Sequence, residues 1–363
     1  MAIKCGIVGL PNVGKSSLFN ALTNANIAAE NYPFCTIEPN SGVVPVPDNR
    51  LERLSAIAES AEVIPATMEF TDIAGLVAGA SKGQGLGNKF LGHIRETEAI
   101  LHVVRCFEDD NVIHVSGKVD PLDDVEVVET ELALADLETC SKAFEKISRN
   151  AKSGDKDLLK KSKDLEELIS VLEKGNMLRT CNFENDGDSL IRELGLLTSK
   201  PVLFVANVDE GMVTSNHHLE KLSHYARDTK AEFLPICASI ESELIDLPIS
   251  ERRQYLLELG LEEPGLNRLV QAGFALLNLH SFFTAGPKET RAWTIPVGTV
   301  APSAAGKIHG DFEKGFIRAE VISYQDYVAC GGENRARESG KLRSEGKEYV
   351  VEDGDVIHFR FNV

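Results

Sequence analysis

The chain has 363 residues, with 38 Lys plus Arg against 56 Asp plus Glu and a formal net charge of −18. That length suits two or three domains, each with its own core, and 43% hydrophobic with 26% charged residues excludes a disordered chain. No apolar run approaches the roughly 18 residues of a membrane span, and so large an acid excess argues against nucleic acid as a partner of the chain as a whole.

The apolar start is too short for a secretory signal and runs straight into a motif. Residues 3–8 form a short β-branched run, read as a strand, and 16–22 read as a helix. Further short apolar runs lie at 68–70, 99–106, 202–205 and 233–237. Continuous apolar strands separated by helices predict a mostly parallel sheet covered on both faces. Residues 1–126 and 199–280 are therefore assigned to one α/β domain. Residues 127–198 interrupt it: 129–138 and 158–172 carry apolar residues at helical spacing on either side of a Lys-Ser-Gly-Asp turn. This predicts an inserted helical hairpin, a short antiparallel coiled coil. Residues 281–363 carry Pro287, Pro296, Pro302 and strand-like runs at 292–297, 316–323, 349–351 and 356–361, which predict a small α+β domain. The seven cysteines include no Cys-x-x-Cys pair, so neither a disulfide framework nor a zinc site is expected, and the cytoplasm is the expected compartment.

Gly9, Gly14, Lys15 and Ser16 occupy every fixed position of G-x-x-x-x-G-K-[ST], after a predicted strand and before a predicted helix. That context defines a phosphate-binding loop. The glycines let the backbone approach phosphate oxygens. The N–H groups of Asn12, Val13, Gly14, Lys15, Ser16 and Ser17 point inward at a helix N-terminus, which favours anions. Lys15 is expected to neutralise β- and γ-phosphate charge, and Ser16 to give a hydroxyl to Mg²⁺. Asp72 ends a predicted strand and suits the Mg²⁺ shell. Gly75 follows at the spacing where its N–H meets the γ-phosphate, and Thr36, in the loop after the first helix, is the expected second hydroxyl ligand. A glycine-rich stretch at 83–87 suits a segment that orders with γ-phosphate.

These motifs, with segments 31–37, 83–91 and 311–321, resemble the Obg-like group of translation-factor-class G proteins, most closely the YchF / Obg-like ATPase family. The resemblance implies a G domain, an inserted hairpin and a C-terminal TGS domain of ubiquitin-like fold. It also implies a preference for ATP over GTP, association with the ribosome (its large subunit) and RNA, and a monomer.

GTPases of this class read guanine with Asn-Lys-x-Asp. Here the stretch is Asn207, Val208, Asp209 and Glu210. Val208 replaces the lysine that packs over the base, and Glu210 reaches one methylene too far for guanine. The Asn207 amide suits adenine N6 and N7, and Ser239 lies in the next predicted loop of the base site. ATP is the expected nucleotide; a register in which Asp209 reads guanine keeps GTP open. Leu76 stands where many relatives carry a water-orienting glutamine. Two substitutes present themselves. His114, in a polar loop after the fourth predicted strand of this domain, suits proton handling near neutrality. Asn12 suits a K⁺ ion that compensates γ-phosphate charge.

The acidity is uneven. Residues 281–363 are nearly neutral. Residues 142–163 hold eight basic against three acidic side chains, Lys142, Lys146, Arg149, Lys152 and Lys156 among the basic ones, and 335–347 hold five against two, with Arg335, Arg337, Lys341 and Arg343. Charge alone makes these solvated surfaces; the resemblance points them to ribosomal RNA. The expected function is an ATPase tied to a ribosome- or RNA-associated process, with a nucleotide-gated binding module as the competing expectation.

Overall fold

A computed structural model describes residues 3–24, 40–73, 86–109, 111–150, 156–183, 187–210 and 216–362. Contacts divide the chain into two units, Ile3–Gly42 with Glu69–Leu269, and Val43–Met68 with Val270–Val363.

In chain order the first elements are β1 (Lys4–Val8), α1 (Lys15–Asn24), β2 (Ser41–Pro45), α2 (Asn49–Ala58), β3 (Glu62–Ile64), β4 (Thr67–Asp72), α3 (Leu86–Arg95) and β5 (Ala99–Arg105). The helical arms α4 (Pro121–Asn150) and α5 (Lys156–Glu173) follow, then α6 (Gly187–Leu194), β6 (Val202–Asn207), α7 (His217–Asp228), β7 (Glu232–Ile236), α8 (Ala238–Asp246), α9 (Ile249–Glu258) and α10 (Gly265–Leu276). One sheet runs β2-β4-β1-β5-β6-β7. The β1–β4, β1–β5, β5–β6 and β6–β7 pairs are all parallel. Every residue of β5 and β6 is buried, as continuous apolar sequences covered on both faces require. The C-terminal ends of β1, β4, β5 and β6 therefore deliver their loops to one edge of the sheet, where a nucleotide site belongs.

α4 begins at Pro121, six residues before the expected boundary, because proline is well placed in the first helical turn. Ala133, Leu137, Cys140, Phe144 and Ile147 recur at alternating spacings of four and three along α4 and pack on Leu165, Leu168 and Leu172 of α5. That repeat is the seam of an antiparallel coiled coil. At the stem, buried Asp136 accepts from Leu197 N (2.9 Å), Thr198 N (2.7 Å) and Thr198 Oγ1 (2.7 Å), clamping α4 to the returning chain. No described helix is long and apolar enough to cross a membrane.

The second unit holds β8 (Leu279–Ala285), β9 (Glu289–Pro296), α11 (Ala301–Ile308), α12 (Gly310–Lys314), β10 (Phe316–Ser323), α13 (Tyr324–Cys330), α14 (Glu333–Glu338), β11 (Arg343–Glu345) and β12 (Asp355–Phe361). Its sheet order is β11-β10-β12-β8-β9-β3, with β8 and β12 parallel and β8–β9, β10–β12 and β10–β11 antiparallel. First and last strands side by side, with a helix after the first hairpin, are the ubiquitin-like arrangement. Ala301, Ala304 and Ala305 of α11 meet Phe282, Ile295, Val321, Ile357 and Phe359 in its core. Residues 349–351 form no strand; Val350 makes a single bridge to Val300.

Residues 43–68 fall in this unit and not in the nucleotide-binding domain to which their sequence position assigns them. β3 pairs parallel with β9 through Glu62, Val63 and Ile64. Ser60 Oγ donates to Gly286 O (2.7 Å), and Arg50 bridges Asp48 (2.8 Å) and Asp353 (2.7 Å).

Candidate functional site

The loop leaving β1 is shaped by its neighbours. Gly9 has φ +156°, and a Cβ there would collide with the Val103 carbonyl of β5; Gly14 has φ +96°, and a Cβ there would collide with the Asn207 amide of β6. Both glycines are thus demanded by strand ends packed against the loop. Asn12 takes a left-handed φ of +62°, and its Nδ2 donates to the Ile113 carbonyl (3.1 Å). The Leu18 N–H bonds to Gly14 O (2.9 Å), so α1 begins within the motif and aims its first amides at the cradle.

Lys15 opens α1, is almost fully buried, and donates from Nζ to Leu10 O (2.6 Å). Burial lowers its pKa to about 8, with the Asp72 charge opposing the fall. Ser16 Oγ donates to Asp72 Oδ2 (3.0 Å). Asp72 Oδ1 is buried with no hydrogen-bond partner among the described residues. A buried carboxylate oxygen left unpaired is costly. Beside a serine hydroxyl, it is the hard-oxygen donor set that suits Mg²⁺. Thr36 and Gly75 lie outside the described residues.

The base end corrects one expectation, that for Val208. Asn207 Nδ2 donates to Val13 O (3.0 Å), and Asn207 Oδ1 accepts from Ala238 N (3.1 Å). The amide ties the phosphate loop to the start of α8, with one N–H and one oxygen lone pair beyond these two bonds. Val208 is buried, its N–H bonded to Ile236 O (2.9 Å), because it continues the buried run of β6 instead of facing a base. Glu210 and Ser239 are exposed, and Ser239 Oγ is 3.1 Å from Cys237 Sγ.

His114 is placed differently from the swinging loop residue that the sequence predicts. It is buried, with Nε2 3.0 Å from Asp124 Oδ2 and Nδ1 2.8 Å from Ser116 Oγ. The Ser116 N–H also reaches Nδ1 (3.2 Å). A backbone N–H can only donate, so Nδ1 accepts and the ring proton faces Asp124 from Nε2. Burial raises the Asp124 carboxyl, and His114 partly reverses this. The flanking residues are inverted: Ile113 is 79% and Val115 54% exposed. Upstream, buried Arg105 donates to the carbonyls of Phe107 (3.1 Å), Asp109 (3.2 Å) and Val112 (2.8 Å), gathering the loop around its guanidinium. Sequence reasoning missed Arg105 and Asp124. An arginine closing an otherwise apolar strand was the available signal for the first.

Lys142, Lys146 and Arg149 of α4 and Lys156 of α5 are exposed. Lys152 lies outside the described residues. Arg335, Arg337, Lys341 and Arg343 are exposed in the second unit, but Lys341 pairs with Asp326 (3.1 Å) and Arg337 with Glu333 (2.8 Å).

Comparison with known proteins agrees with this geometry. Residues 4–139 match the family model MMR_HSR1, described as a 50S ribosome-binding GTPase. Residues 279–362 match YchF-GTPase_C, described as a protein of unknown function. The protein called ribosome-binding ATPase YchF in Haemophilus influenzae is 56% identical over 363 residues, all of both chains. Its namesake in Bacillus subtilis is 53% identical over 366 residues, again all of both chains. The solved structure of the Schizosaccharomyces pombe YchF GTPase superposes with a TM-score of 0.89 at 36% identity, covering 99% of this chain and 97% of that one. A phosphate loop, a carboxylate poised for a metal and full-length identity above half together place the chain in the YchF family.

Proposed function

We propose that the chain hydrolyses ATP to ADP and phosphate with Mg²⁺ and acts on or with the ribosome. The observation that carries this is the convergence of Lys15, Ser16 and the unpaired Asp72 oxygen at the head of α1. Relatives above 50% identity over their whole length are called ribosome-binding ATPases, which supports ATP and the ribosome. Ser16 and Asp72, with Thr36, would hold Mg²⁺, which when bound offsets phosphate charge. Lys15 leaves Leu10 O to meet the β- and γ-phosphates, and the loop amides, with Gly75 N–H, stabilise charge on the transferring phosphoryl group while water attacks in line. His114 is the proposed group that handles the water's proton. Asn12 supports a K⁺ reading for charge compensation: its Nδ2 is fixed on Ile113 O, leaving Oδ1 for a cation. Turnover in K⁺ compared with Na⁺ at equal ionic strength tests it; equal rates discard it.

Base choice rests on the exposed rim of Glu210 and Ser239. The hairpin arms and the ubiquitin-like unit, read as a TGS domain, supply the ribosome-facing surfaces through RNA of the large subunit. The chain works as a cytoplasmic monomer.

Three measurements test this. Lys15→Ala should abolish turnover and weaken Mg·ATP binding at least tenfold; full activity would overturn the cradle assignment. Competition of ATP and GTP for a labelled nucleotide should favour ATP, and tighter binding of GTP would reverse the base assignment. Turnover with and without ribosomes separates an enzyme from a nucleotide-gated module: stimulation supports the first.

A further inference from the structure

We propose that Asp124 is a positioning residue that latches His114 in a retracted state, and that the hairpin arm controls the latch. The proposal rests on the reading of His114 as the proton-handling group. Three observations carry it. First, both ring nitrogens of His114 are engaged, one by Asp124 (3.0 Å) and one by Ser116 (2.8 Å), and the ring is buried. In this arrangement the imidazole has no nitrogen left for water. Second, the loop is turned inside out: the imidazole is inside while Ile113 and Val115 face solvent. Reversing it would bury apolar surface and release the ring, a gain that offsets part of the cost of breaking the His114 contacts. Third, the two ends of the latch belong to different machinery. Asn12 in the phosphate loop holds Ile113 O (3.1 Å), next to His114. Asp124 sits in the first turn of α4, whose 30 residues end beside the basic tip.

A 30-residue helix spans about 45 Å. It is held part-way along at Asp136, whose carboxylate takes Leu197 and Thr198, and nearer Asp124 at Glu129, which takes Arg179 and the Tyr225 hydroxyl (2.6 Å). In this scheme a partner that pulls on Lys142, Lys146 and Arg149 loads the helix against both holds, and the Glu129 contacts pass that load to the first turn that carries Asp124. The carboxylate also sits at a helix N-terminus, where its negative charge is favoured. That gives the resting latch a defined geometry. Arg105 holds the loop upstream by three carbonyls, at Phe107, Asp109 and Val112, which leaves the segment that follows as the one free to rearrange in this scheme. The ribosome, in this scheme, stimulates turnover by lifting Asp124 from His114.

Steady-state ATP turnover of the full chain, with and without ribosomes, tests the latch. Asp124→Ala should raise basal turnover roughly tenfold, the scale of one lost hydrogen bond to a charged group, and reduce the stimulation by ribosomes by the same factor. Asp124→Asn, which keeps shape and an acceptor but loses the charge, should raise it two- to fivefold by the same reasoning. A merely structural role would lower turnover instead. The rise must vanish in Asp124→Ala combined with His114→Ala. Basal rates of both Asp124 variants at or below that of the unaltered chain, with stimulation intact, would overturn the latch. So would a rise that persists without His114. Unchanged turnover of His114→Ala alone, basal and stimulated, would instead overturn the His114 reading beneath it. Should Asp124→Ala fail to fold, the Asp124→Asn rate decides.

Discussion

The hairpin tip and the 335–347 segment both look basic in sequence, yet their charges serve different ends. On α4, Lys142 pairs with Glu138 and Arg149 with Glu145, each one turn back along the same helix with both partners more than half exposed. Such pairs contribute a few tenths of a kcal/mol and leave the field of the arm open to a partner. In the second unit Asp326 and Glu333 are likewise partly exposed partners of Lys341 and Arg337, but two further carboxylates are buried. Glu320 receives Arg318 (3.0 Å), Arg360 (3.0 Å) and Arg337 (3.7 Å), and Asp355 receives Arg343 (3.5 Å) and the Tyr349 hydroxyl (2.7 Å). Those arginines gather on carboxylates carried by β10 and β12. A count of charges in a window cannot separate the two cases; the burial of the acidic partner does.

The largest expected effect lies at the root of the arm, because charge at the tip acts through a stiff stem. Asp136→Ala leaves two buried N–H groups and a threonine hydroxyl without their acceptor. It should cost about 2–3 kcal/mol by chemical denaturation and blunt stimulation by ribosomes. Unaltered stability would show that the stem does not depend on this clamp. Next comes the tip itself. Lys142→Glu, Lys146→Glu and Arg149→Glu together should lower ribosome pelleting at low salt at least tenfold and flatten its salt dependence, with melting temperature nearly unchanged. Retained, salt-sensitive binding would remove the tip from the contact.

The contrast also marks what a sequence carries. Gly9, Gly14, Lys15 and Ser16 were legible because phosphate chemistry demands those types at that spacing, and Asp72 because it closes a strand, which brings it to the Ser16 hydroxyl. The strands β5 and β6 were legible from unbroken apolar runs. Asn207, Val208, Arg105 and Asp124 were not. Their roles are set by partners brought together only by the fold: Val13 and Ala238 for the Asn207 amide, three loop carbonyls for Arg105, and an imidazole ten residues back for Asp124. The misassigned stretch 43–68 has the same cause. β3 is three residues long, too short to show alternation, and its partner β9 begins more than 200 residues later.

The smallest effect sharpens the second half of the comparison. Hydrogen bonding from Arg360, joined by Arg318, holds the Glu320 carboxyl below its usual value of 4.5 despite the opposing pull of burial. A carboxyl depressed in the folded state contributes stability that is present above pH 4.5 and is lost as pH falls through the folded value. The arginines are about half exposed, so solvent screening limits the contribution to about 1 kcal/mol or less. Glu320→Gln should lower the melting temperature at pH 7 by a few degrees, while the gap from the unaltered chain closes as pH drops below about 4.5. Ribosome pelleting should stay as it was. A gap that persists at low pH would mean that Glu320 acts through packing and not through charge. A loss of ribosome binding would mean that the arginines gathered on Glu320 face a partner after all.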